Sequence, residues 1–122
     1  MTSERSASRA ASRAALGRMG EDLAAAWYEA RGYAVVARNW RTAGGEIDLV
    51  ARRGRIVVIA EVKTRTSDLY GHPAEAVVRS KQRRLHGLAA AWLRENKVRG
   101  VGLRFDVVSV LAGTVEVLED AF

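Results

Sequence analysis

Residues 56–63, Ile-Val-Val-Ile-Ala-Glu-Val-Lys, constrain the fold more than any other part of the chain. The run Ile56–Ala60 is apolar throughout and largely β-branched, which favours an extended backbone over a helix. It is strand-length and far below the roughly 20 residues needed to span a membrane. Without polar alternation, such a strand must be covered on both faces, so the sheet that holds it is central in a layered domain. The triplet Arg52-Arg53-Gly54 just before it reads as a hairpin turn, with a glycine available for positive φ. Glu46–Ala51 is then the preceding strand of the hairpin.

Helices are expected on either side. Leu16, Met19, Leu23, Ala26, Trp27 and Ala30 recur at three- and four-residue steps over residues 16–31, and Gly32 stands where a C-terminal cap belongs. At about 100° per residue Glu21 falls opposite that stripe, among Gly17, Gly20, Ala24 and Tyr28. A face of small residues permits close backbone approach, so Glu21 is expected in a crowded place. Tyr33–Ala37 reads as a short strand and Asn39–Gly45 as a turn. Thr66–Pro73 reads as a loop, and Ala74 to about Glu95 as a second helix packed through Ala76, Val77, Leu85, Leu88, Ala89, Trp92 and Leu93. Leu103–Leu111 and Val115–Leu118 close the chain as strands around an Ala112-Gly113-Thr114 turn. The fold class is therefore α/β, a mixed sheet flanked by helices in the order α-β-β-β-α-β, with a terminal hairpin strand.

The 122 residues fit one domain, placed at 16–122, behind a Ser/Arg/Ala-rich basic segment at 1–15 that reads as a disordered tail. That segment has no apolar core of the signal-peptide kind; an organelle transit peptide is the alternative, and a cytoplasmic protein the default. No cysteine is present, which excludes disulfides, zinc–thiolate sites and cysteine nucleophiles, and two histidines are too few for a His-rich metal centre. The formal charge of +6 invites an anionic partner such as nucleic acid. Half of it comes from Arg5, Arg9, Arg13 and Arg18 against Glu4, so the domain itself carries only a modest excess.

Chemistry concentrates on the hairpin. Glu61 and Lys63, two apart on a strand, share a face, and pairing through the turn brings the Asp48 region beside Glu61. A tight hairpin centred near Arg53 opposes Glu61 to about Gly45; a shift of a few residues opposes it to Asp48. Two carboxylates and an ammonium at the end of an apolar strand have two readings. One is a salt-bridged cluster on an exposed edge. The other is a site in which Asp48 and Glu61 offer hard oxygen ligands to Mg²⁺ and Lys63 positions water or stabilises developing charge.

Gly45-Glu46-Ile47-Asp48, twelve intervening residues and Glu61-Val62-Lys63 resemble the PD-(D/E)XK nuclease signature. More narrowly, Gly17–Gly32, Arg38-Asn39-Trp40, Gly44–Val50, Ile59–Arg65 and Arg104–Val108 resemble the uncharacterised YraN-like bacterial family, similar in pattern to archaeal Holliday junction resolvases. The resemblance implies a restriction-endonuclease-like fold. It implies that Asp48 and Glu61 bind Mg²⁺ or Mn²⁺ with help from the Val62 carbonyl, that Lys63 is the catalytic lysine, and that Glu21 completes the acidic site. Gln82 matches a polar position on the following helix more loosely. The proline that precedes the first acid in the motif's name is Ile47 here.

Other residues carry competing readings. Glu46 shares a face with Asp48 and is a second candidate ligand. Arg65, directly after the catalytic strand, is the phosphate-binding candidate by location, and Lys81 and Gln82 join it on the second helix. The basic cluster of Arg79, Lys81, Arg83 and Arg84 is otherwise a solvated helix face. His72 is a loop histidine with no nucleophile beside it, the three tryptophans are packing residues, and Asp106 is a buried salt-bridge partner. Three functional classes remain: a metal-dependent endonuclease on nucleic acid, DNA before RNA and branched or irregular DNA among its substrates; a nucleic-acid-binding module without cleavage; and an interaction or scaffold protein. A homodimer would suit two-strand cutting.

Overall fold

A computed structural model describes residues 2–66 and 79–122, with side chains from residue 11 onward. Helix α1 spans Thr2–Ala30, followed by strands β1 (Ala34–Thr42), β2 (Gly45–Arg53) and β3 (Ile56–Arg65), helix α2 (Arg79–Glu95), and strands β4 (Gly102–Leu111) and β5 (Thr114–Leu118). The strands form one sheet in the order β1-β2-β3-β4-β5. β3 and β4 are parallel, joined by the crossover through α2, and the other pairs are antiparallel. This is the mixed α/β sheet of restriction-endonuclease-like type expected from the sequence, with β3 at its centre.

Burial on both faces of β3 is direct. Val57 and Ile59 join Phe105, Val107 and the α2 residues Leu85, Leu88, Ala89 and Trp92 in one core. Val58 and Ala60 join Val108, Val110 and the α1 residues Ala24, Ala25 and Tyr28 in the other. Each fully buried aliphatic side chain contributes about 1.5–3 kcal/mol relative to exposure, so this strand anchors both layers. Of the apolar α2 residues expected in its core, Ala76 and Val77 lie outside the described residues, as does His72.

Four local expectations change. The apolar stripe of α1 is not its buried face: Met19 is 59% exposed, while Gly20, Ala24 and Tyr28 meet the sheet. The reason is steric, because a Cβ on Gly20 would lie 1.8 Å from Thr64 Oγ1, a distance only glycine allows. The helix also continues back through the Ser/Arg/Ala run, as befits Ala and Arg, both strong helix formers. It ends in a Schellman motif, with Gly32 at φ 84° and hydrogen bonds Gly32 N–H to Glu29 O (3.1 Å) and Tyr33 N–H to Tyr28 O (3.1 Å).

The hairpin turn is Gly54-Arg55, later in the chain than the expected Arg52-Arg53-Gly54, since Arg53 already pairs with Ile56. Gly54 takes the positive φ (59°) at the first loop position. Finally, β1 continues to Thr42 instead of stopping at Ala37. Asn39 is a kink inside it, at φ 51°, and begins no turn.

Asp106 is fully buried and completely partnered. It accepts hydrogen bonds from Tyr28 Oη (2.7 Å), from Arg104 Nε and Nη2 (2.9 Å each) and from the Asp120 amide (3.0 Å). It ties α1 to β4 and the C-terminus, as its reading as a buried salt-bridge partner requires. Breaking such a pair by removing one partner costs about 3–5 kcal/mol.

Candidate functional site

The β2–β3 ladder fixes where the hairpin acids meet. Its last pair is Leu49–Ala60, and Asp48 and Glu61 are the next residues along the two strands, just beyond the paired ladder. The step to Asp48 is irregular. Ile47 packs in the α2-side core and Leu49 in the α1-side core, although residues two apart on a regular strand share a face. The alternation therefore breaks at Asp48. On the other flank of β2, Arg38 pairs with Leu49 and Trp40 with Ile47, which sets the kinked Asn39 beside Asp48 as well. At this notch the Asp48 carboxylate enters the sheet and accepts a hydrogen bond from the Val62 amide at 2.8 Å.

Asp48 borders two recesses of about 270 Å³, one on each side of the sheet. Toward α1 it shares a recess with Arg13, Gly17, Glu21, Val62 and Thr64. Toward α2 it shares one with Gly45, Glu46, Glu61, Lys81 and Arg84. Its pKa is pushed up to about 7, first by burial, then by Glu61, and further by Glu46 and Glu21, against the opposing effect of the Val62 hydrogen bond. A cluster of carboxylates thus surrounds one half-buried acid.

Glu61 follows Ile59 on the α2 side. Its side chain is only 7% exposed, and its Oε1 receives two ammoniums, Lys63 Nζ at 3.2 Å and Lys81 Nζ at 2.5 Å. Burial and the neighbouring Lys81 lower the pKa of Lys63, which yields its proton more easily than a solvated lysine. For Lys81 burial acts in the same downward direction, but contact with Glu61 and Lys63 outweighs it and holds the pKa above the usual range. Glu21 projects from α1 toward the notch. Its Oε2 accepts a hydrogen bond from Asn39 Nδ2 (2.8 Å) and lies 3.9 Å from Arg38 Nη2, while Arg38 itself pairs with Asp22 at 2.6 Å.

The expected set of Asp48, Glu61, Lys63 and Glu21 is thus gathered at one sheet end, with Val62 between Glu61 and Lys63. Glu46 is turned partly outward and pairs with Arg41 at 2.9 Å. Lys81, expected as a phosphate contact, sits inside the cluster as a partner of Glu61. Gln82 follows it on α2, half-buried. Arg65 lines a different recess with Leu16, Met19, Thr66 and Ala112, away from Asp48. Two contributors escaped the sequence reading. Asn39 reads from sequence as a turn residue, although asparagine tolerates positive φ within a strand just as it does in a turn. Arg13 reads as part of the tail, yet α1 carries it to the Asp48 recess.

Such an arrangement offers hard oxygen donors, an easily deprotonated lysine and flanking guanidiniums on both sides of one acid. Glu21, Asp48, Glu61, Lys63, Lys81 and Arg84 lie within the part of the chain that is shared with relatives. The model of the uncharacterised protein family UPF0102 matches residues 20–110. A UPF0102 protein of Arthrobacter sp. (strain FB24) is 56% identical over 96 residues, covering 79% of this chain and 81% of its own. One from Beutenbergia cavernae is 54% identical over 97 residues, covering 80% and 82% respectively. A third, from Rhodococcus opacus (strain B4), is 48% identical over 113 residues, covering 88% and 96%. This chain belongs to the UPF0102, or YraN-like, family.

Proposed function

We propose that this protein is a metal-dependent endonuclease of PD-(D/E)XK type, similar to Holliday junction resolvases and acting in the cytoplasm on DNA, with branched or irregular DNA as its substrate. The observation that carries the reading is that Asp48 and Glu61 line one recess just beyond the end of the β2–β3 ladder, with Lys63 on the Glu61 carboxylate.

The donor set fits a magnesium or manganese ion. Mg²⁺ is held by one or two carboxylates and keeps several waters, and Asp48 and Glu61 are such a pair. Burial first, and then the carboxylates of Glu61, Glu46 and Glu21, raise the proton affinity of Asp48, and a cation would relieve the crowding of those carboxylates. Among the described residues no group of three or more His, Cys, Asp or Glu is arranged to hold a metal unaided. Waters would complete the coordination, and the Val62 carbonyl would add a ligand.

A bound divalent ion would neutralise charge on the scissile phosphate and acidify a coordinated water. Asp48 and Glu61 would hold it. Lys63 would orient the attacking water and, as its ammonium, stabilise the charge that develops on the phosphate. Glu21, fixed by Asn39, adds a carboxylate from the α1 side. Arg13 and Arg84, one in each recess beside Asp48, would contact backbone phosphates.

The test is cleavage of supercoiled, nicked, single-stranded and four-way-branched DNA with Mg²⁺ or Mn²⁺. Metal-dependent nicking is expected, abolished by Asp48→Ala with DNA binding retained. If no DNA or RNA structure is cut with either metal, the enzyme reading fails. Salt-sensitive binding without cleavage would leave a binding module, and no such binding an interaction protein.

A further inference from the structure

Glu61 Oε1 holds two ammoniums, and the two lysines have different origins. Lys63 is on the same strand and face as Glu61, so its position follows from the strand itself. Lys81 reaches over from the start of α2 and makes the shorter contact, 2.5 Å against 3.2 Å. The Lys81 ammonium therefore stands on the carboxylate oxygen that a metal ligand would offer, inside the recess it shares with Asp48 and Arg84. A divalent cation and an ammonium cannot share that oxygen at contact distance without strong repulsion.

Building on the nuclease reading, we propose that Lys81 is an exchangeable catalytic residue. It neutralises Glu61 when no metal is bound, and it passes to a phosphate oxygen of the nucleic acid once the divalent ion takes Glu61. The exchange needs only a side-chain movement. Lys81 is half exposed on a helix turn, and lysine is a flexible point charge that re-aims more cheaply than a forked guanidinium. It leaves Glu61 charge-balanced in both states, because the divalent ion replaces the closer of its two ammoniums. It also couples the two ligands. Phosphate draws Lys81 away from Glu61 and so favours the metal, and by reciprocity the metal favours nucleic acid.

The test measures Mn²⁺ binding directly, by electron paramagnetic resonance of free Mn²⁺, for the whole chain and its Lys81→Met and Lys81→Arg variants. Each is titrated with and without a short DNA duplex at a manganese level and temperature too low for turnover. Lys81→Met is expected to bind Mn²⁺ about tenfold more tightly than wild type without DNA, the scale of one charge-assisted contact. DNA should tighten Mn²⁺ binding in wild type and have little effect in Lys81→Met. Lys81→Arg should keep the weak, wild-type affinity, which guards against a general effect of altering α2. Equal Mn²⁺ affinity in wild type and Lys81→Met overturns the exchange and leaves the nuclease site standing. No Mn²⁺ binding in any of them, or binding unchanged by Asp48→Asn, overturns the metal site and the exchange together.

Discussion

The Asp48 carboxylate takes the place of a backbone carbonyl in the β2–β3 ladder, accepting the Val62 amide at 2.8 Å where the regular pairing has stopped. One oxygen of the acid is thereby fixed to the strand that carries Glu61 and Lys63. The carboxylate is anchored by the fold while lying in a cluster of like charge. Strand alternation, register and chemistry all change at this residue.

That placement has a consequence for stability. Burial and the carboxylates of Glu61, Glu46 and Glu21 raise the Asp48 pKa from 3.8 to about 7 in the folded protein. Between those pH values the native state binds more protons than the unfolded one, so stability falls as pH rises from about 4 to 7. Below about 4 the contribution is fully present; above about 7 it is lost. Asp48→Asn removes the titration while keeping an oxygen for the Val62 amide. In urea unfolding followed by tryptophan fluorescence, the variant should gain on the order of 2 kcal/mol on wild type between pH 4 and pH 8. Parallel stability curves for the two proteins over that range would disprove the account.

Gly20 governs how closely α1 can approach β3, and Glu21 is carried by the next residue. A Cβ at position 20 would meet Thr64 Oγ1 at 1.8 Å and Thr64 Cβ at 2.9 Å, so Gly20→Ala must push the helix outward or force Thr64 off its rotamer. Overpacking of this kind costs about 1–3 kcal/mol, more than the gain in helix propensity from glycine to alanine. Thr64→Ala removes the nearer clash but leaves the Cβ contact, so the double variant should recover part of the loss. Denaturation midpoints of the two single variants and the double variant would show this as a coupling. Additive losses would mean that the helix does not rest on Thr64.

The fold was legible because its centre is written in one strand. An apolar run without alternation requires two covered faces, and the helices on either side supply them. The site was legible in composition but not in geometry. Glu61 and Lys63 share a face by strand period alone, whereas the register that brings Asp48 and Glu61 together beyond the ladder depends on a turn at Gly54-Arg55 that a small error in placement displaces. The face of α1 that packs on the sheet was obscured for a different reason. Hydrophobic periodicity points to Leu16, Met19 and Leu23, but closeness of approach at Gly20 decided the packing. Lys81 and Asn39 act through contacts with residues 20 and 18 positions away in sequence, respectively, and no local pattern encodes those.

Asn39 combines two roles that substitution can separate. Its backbone is held at φ 51°, and its side chain donates to Glu21 Oε2 at 2.8 Å. Glycine adopts that φ freely, while alanine there costs about 1–2 kcal/mol. Asn39→Gly should therefore stay within about 1 kcal/mol of wild-type stability, and Asn39→Ala should fall below it by the backbone penalty. Both lose the hydrogen bond and, among the described residues, leave Glu21 the Arg38 guanidinium at 3.9 Å. If Glu21 works at the proposed site, both variants should nick DNA more slowly by a similar factor, about tenfold for a misplacement worth roughly 1.4 kcal/mol. Stability and activity would then rank the three proteins differently: unfolding sets alanine apart, and cleavage sets asparagine apart. Full nicking by Asn39→Gly would assign Asn39 to the shape of β1 alone and remove the case for Glu21 being held in place by it.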